Sequence, residues 1–136
     1  MLKNSIVTAC LTSLLALPAY AQESNIPDIK GKWEATSQMH SKSHGHIKTP
    51  EKNGELVVLS QEGRVFHGHV LWNNKAPGKD NFSGVIDKDG VTFYVAGHTE
   101  GTRIGKMEGK DAFTFYFLIP GGSNPRAGLA EFKRVK

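Results

Sequence analysis

Three histidines stand within seven residues in His40-Ser41-Lys42-Ser43-His44-Gly45-His46. Neutral imidazole nitrogen is a good ligand for Zn²⁺ or Cu²⁺, and the Ser and Gly spacers let a chain wrap around an ion. His98, which ends a later strand, is placed to supply a fourth ligand. The same residues also suit a solvated polar loop with the weak metal affinity of any histidine cluster, since they lack a strict spacing such as a helical H-E-x-x-H. His67-Gly68-His69 is a separate pair. At i and i+2 on a strand the two rings share a face. If Phe66, Val70 and Trp72 line the opposite, inner face, both imidazoles point outward.

A second set of residues suits the recognition of an organic ligand. Trp72 is the best aromatic candidate for lining a pocket, and Tyr94, His98, Arg103 and Tyr116 are polar groups able to orient a ligand in apolar surroundings. Each also suits an outward position, because tyrosine is at home on the exposed side of a strand. Enzyme motifs are missing. There is no Gly-x-Ser-x-Gly, and Gly121-Gly122-Ser123-Asn124-Pro125 precedes a strand rather than a phosphate-binding helix N-terminus. Glu62, Asp89, Glu100, Glu108 and Asp111 sit in turns. A barrel enzyme using inner His and Tyr as acid and base stays open.

The elements that must position these groups are strands. Runs rich in β-branched and aromatic residues recur between Gly, Asp, Asn and Pro, and no window holds a sustained helical period. Eight strands are expected, at 31–38, 55–61, 64–73, 81–87, 91–99, 102–107, 112–119 and 129–135. Asp89-Gly90 is a favoured hairpin turn because its geometry needs positive φ. Phe113, Phe115 and Phe117 share one face of the seventh strand, and Gly68 and Gly84 interrupt strands where a sheet must bend. An all-β, eight-stranded antiparallel up-and-down barrel with little or no helix follows. Long connections at Met39–Asn53 and Pro120–Gly128, and a medium one at Asn74–Asp80, are expected at one end. That end is the expected mouth; Trp33 and Arg134 fall at the other.

Residues 1–21 read as a signal peptide: Lys3, an apolar stretch from Ile6 to Leu17, and Ala19-Tyr20-Ala21 before Gln22. Residues 22–30 form an expected N-terminal arm and 31–136 a single barrel domain. Cys10 is the only cysteine and leaves with the leader, so no disulfide is expected. The expected location is the periplasm or the medium. A net charge of +4, spread along the chain, lacks the clustered basic face of a nucleic-acid binder, and no membrane-spanning stretch is expected in the mature chain.

Gly31-x-Trp33 in the first strand, with Arg134 in the last, resembles the signature of the calycins, the lipocalin and avidin superfamily. The resemblance implies that the tryptophan closes the base of the barrel and the late basic residue packs across it. Length and meander look more like avidin than like lipocalins, which carry a helix after the barrel. The biotin site does not carry over: Glu34, Ala35 and Thr36 follow the first tryptophan where avidins have an Asn, and Trp33 and Trp72 are the only tryptophans. The expected function is non-catalytic binding of a small, mostly apolar or aromatic ligand at the mouth. The alternatives are Zn or Cu binding through His40, His44 and His46, and a protein-interaction or inhibitor barrel presenting Pro120–Gly128. Homo-oligomerisation also stays open.

Overall fold

The computed structural model describes residues 26–73 and 77–136, without the side chains of 50–53. The expected signal peptide and residues 22–25 of the expected arm lie outside the described residues. Eight strands follow one another: β1 (Gly31–Ser41), β2 (Gly45–Glu62), β3 (Val65–Trp72), β4 (Gly78–Ile86), β5 (Thr92–Gly97), β6 (Thr102–Met107), β7 (Ala112–Ile119) and β8 (Arg126–Arg134). Each pairs antiparallel with its neighbour in sequence, and β1 pairs with β8 from Trp33–Arg134 to Ser41–Arg126, which closes the barrel. No helix occurs among the described residues. This architecture fits a calycin-like barrel.

The period of two sets the core. Phe66, Phe82, Phe93, Phe113, Phe115 and Phe132 all turn inward and are buried. Their rings meet mostly edge to face at centroid separations such as 5.3 Å for Phe93–Phe113, while Phe113 stacks on Phe132 at 4.8 Å. Such ring pairs add about 0.5–1.5 kcal/mol each beyond the area they bury. Space for them comes from glycine. A Cβ on Gly105 would collide with the ring of Phe93, and one on Gly84 with the ring of Phe66.

The base is closed as the Gly-x-Trp signature implies. Trp33 is fully buried, and its indole Nε1 donates to the Ile29 carbonyl at 3.0 Å. Ile29 is itself buried, and Gln61 holds the segment in place, accepting from Ile29 N and donating to Pro27 O. Arg134 lies over the Trp33 ring, 4.1 Å from its centroid. Residues 26–30, within the expected arm, therefore act as a plug on the base.

Both expected long connections need correction. Met39–Asn53 is not a long loop: β1 runs on to Ser41 and β2 starts at Gly45, with His40 opposite His46 and a turn at 42–44 made by Gly45 at φ 63°. The register breaks between Ala35 and Ser37 and resumes at Ser37–Thr49, so the hairpin rises as a continuation of the wall. Polar side chains there hid a strand whose outer face meets water. Pro120–Gly128 is likewise shorter than expected, because β8 starts at Arg126.

Candidate functional site

The phenylalanine core fills only the base of the barrel. Toward the end that carries the β1–β2, β3–β4 and β7–β8 connections, the interior opens into a cavity of about 360 Å³. Residues from every strand except β4 and β5 reach it, at the inward positions of the alternation apart from Leu71 of β3. Phe115 and Phe132 form the floor shared with the core. Met39, Ile47, Val70, Trp72, Phe117 and Ile119 form the apolar wall. Small residues Ala35, Ser37, Gly54 and Ala130 leave the space open.

The polar part of the lining is Ser41, His44, Asn124, Arg103 and Arg126. Ser41 is buried and its hydroxyl accepts from His44 N at 3.1 Å, which ties the β1–β2 turn to the cavity rim. Lys42 N donates to the Pro125 carbonyl and Ser43 N to Asn124 Oδ1, each at 3.0 Å. The β1–β2 and β7–β8 turns are thereby fastened to one another. Arg126 forms an ion pair with Glu100 and also donates to the Asn124 carbonyl.

Arg103 is the most buried charge that lines the cavity. Its Nη2 lies 3.5 Å from Asp80 Oδ2, and the two side chains are 8% and 1% exposed. Asp80 Oδ1 accepts from Thr99 N at 2.9 Å, but Asp80 Oδ2 and Arg103 Nη1 are buried without a hydrogen-bond partner. Burial pushes the guanidinium pKa below its ordinary value, and the neighbouring Asp80 carboxylate opposes that shift. A buried charge of this kind is held by a partner or it is not held at all. Gly97 makes the pair possible, since a Cβ there would collide with Asp80 Oδ2 and the Glu100 carbonyl.

Of the residues singled out for ligand recognition, the structure brings Trp72 and Arg103 to the cavity. Trp72 stands at the end of β3, half-buried, with its indole covering Gly78 of the paired strand. Tyr94 and Tyr116 are exposed on the outside of the barrel, Tyr94 within 3.4 Å of Asp87 Oδ2. His98 is also exposed, its Nε2 2.9 Å from the Ser83 hydroxyl. The histidines of the first hairpin divide: His44 lines the cavity, while His40 and His46 are exposed partners across β1 and β2. Among the described residues no three His, Cys, Asp or Glu side chains gather as metal ligands. His67 and His69 lie on the outward side of β3, opposite Ser83 and Asn81.

Asp80 was hidden in an expected loop, Asn74–Asp80. Its parity was the available signal: Asp80 is two residues before the inward Phe82, so a strand starting at Gly78 must turn it inside. Arg126 and Asn124 sat in the other supposed loop. The chain matches no model of a known protein family and no curated protein.

Proposed function

We propose that this barrel binds one small, mostly apolar or aromatic molecule in the cavity, its polar end toward Arg103, and that it does so without catalysis. The observation that carries the reading is a cavity of about 360 Å³, apolar around most of its wall and crossed by one buried arginine. Ligand sites are typically about 300–1,000 Å³, apolar, with a few placed polar groups. The volume falls at the small end of that range. Asp80 and Glu100, the carboxylates behind the two arginines that line the cavity, are each tied to one of them, which supports holding a ligand rather than proton transfer. The signal peptide read in residues 1–21 supports export to the periplasm or the medium, and the chain length and meander support an avidin-like rather than a lipocalin-like barrel.

Native mass spectrometry of protein purified from its own host, without added metal or chelator, is the first test. A retained organic mass of one per barrel is the expected result; a retained metal lost on changing His44 and His46 would overturn it. Titration with the uncharged fluorophore N-phenyl-1-naphthylamine gives a second readout. Wild type should saturate at one per chain. Ala130→Leu, which adds a branched side chain inside the cavity, should weaken binding at least about ten-fold by overpacking the site. Affinity unchanged by that substitution would place the probe elsewhere and sink the reading.

A further inference from the structure

The permanent charges that line the cavity are of one sign. Arg103 and Arg126 reach it, and no described Asp or Glu does. Asp80 and Glu100 stand behind the two arginines, Glu100 partly in solvent. A molecule in the cavity therefore meets guanidinium donors and no carboxylate. Register sets their height. Arg103 pairs with Phe117 on β7, and Arg126 pairs with Ile119, two residues nearer the mouth. Both stand above the floor of Phe115 and Phe132. Ser41 pairs with Arg126 across β1 and β8, and its buried hydroxyl accepts from His44 N, which leaves its own proton to donate.

Arg103 has too few acceptors for its donors. Its contact with Asp80 is 3.5 Å, against about 2.7–2.9 Å for a charge-assisted hydrogen bond, and Nη1 has no partner. Burial is the main cause that holds its pKa below the ordinary value; Asp80 and Glu100 oppose the shift, and Arg126 adds to it. Arg126 is thus an electrostatic neighbour of Arg103, and an anion placed beside them offsets both the burial and the repulsion.

We infer that the molecule held here is an amphipathic monocarboxylate, its carboxylate facing Arg103 and Arg126 and its apolar tail on the phenylalanine floor. This rests on the cavity being a ligand site and names the class of ligand. A planar carboxylate matches the planar donor fork of a guanidinium. One negative charge is the limit, because Asp80 and Glu100 already balance the two arginines and a dianion would leave a further charge without a counterion in apolar surroundings. Size follows from volume. At roughly 30 Å³ for each water-sized group, a cavity of about 360 Å³ has room for about a dozen non-hydrogen atoms.

Displacement of bound N-phenyl-1-naphthylamine by octanoate, octanol, octylamine and octyl phosphate at neutral pH tests the assignment, because the tail is the same in all four. Octanoate should bind at least about ten-fold more tightly than octanol, the effect of one charge-assisted hydrogen bond, and octylamine no better than octanol. Arg126→Gln should cut the advantage of the acid over the alcohol to less than about three-fold. Should that variant fail to fold, the wild-type series decides alone. A probe that never binds overturns the cavity as a ligand site, and this inference with it. A probe that binds one per chain but yields equally to acid and alcohol leaves the ligand site standing and overturns the carboxylate. Octyl phosphate as effective as octanoate also overturns it, in favour of anions of any shape and charge. An advantage that survives Arg126→Gln overturns the head site of two arginines.

Discussion

Arg134 carries more of the base closure than its position in the last strand suggests. Its guanidinium donates to the Lys30 carbonyl at 2.6 Å, to the Asp28 carbonyl at 2.7 Å and to Asp111 Oδ1 at 3.1 Å, while its plane covers Trp33. Five donors in a fixed plane allow all of this at once, and an ammonium cannot reproduce it. Asp28 and Lys30 belong to the plug, so the arginine fastens the segment that Trp33 and Gln61 hold from the other side. Arg134→Lys keeps the charge and should still cost about 2 kcal/mol, the worth of one or two charge-assisted hydrogen bonds and the ring contact. Urea unfolding measures it. A midpoint within error of wild type would mean that the charge alone closes the base.

At the scale of the strands, the barrel closes because small inner residues alternate with large ones around its circumference. Gly105 on β6 faces Phe93 on β5, and Gly84 on β4 faces Phe66 on β3. Gly105→Ala should cost about 1–3 kcal/mol by overpacking, and Phe93→Leu should recover part of that loss in the double variant by freeing the space. Thermal unfolding of the four proteins in that cycle gives the coupling; strictly additive effects would show that the glycine serves the backbone instead. This level was also where the sequence was easiest to read. The bounds of β6 and β7 were legible because Gly101 and the Glu108–Asp111 turn bracket clean alternations such as Phe113, Phe115 and Phe117. The β1–β2 hairpin was not legible. Its inner positions, Ser37, Met39, Ser41 and Ile47, line a half-polar cavity, so the alternation of apolar and polar side chains fades where a ligand site begins. Tyr94 and Tyr116 show the converse. Phe93 and Val95 inside fix Tyr94 outside by parity alone, yet its hydroxyl suggested a polar group that orients a ligand inside a pocket.

The molecule as a whole divides its interior between stability and recognition. Phenylalanines and Trp33 close-pack one half, while the other half keeps a cavity and a charge pair that packing alone would never favour. Arg103 and Asp80 face each other from β6 and β4 with donor and acceptor capacity left over. Removing one member of a buried pair strands the other. Arg103→Met should therefore cost about 3–5 kcal/mol, because it leaves a buried carboxylate without its counterion. Replacing both, as Arg103→Met with Asp80→Leu, should restore stability to near wild type or beyond, since buried ion pairs are often neutral against apolar residues of similar volume. The double variant then separates the two roles of the pair. If the pair serves recognition, that folded barrel should keep its affinity for the uncharged fluorophore while losing preference for ligands that bear a polar end. Urea unfolding and competition between an apolar molecule and its hydroxylated or carboxylated analogue measure the two effects on the same protein. A double variant that stays unstable would make Asp80 and Arg103 a structural requirement of the wall, through the bond from Asp80 to Thr99 N, rather than the polar end of a binding site.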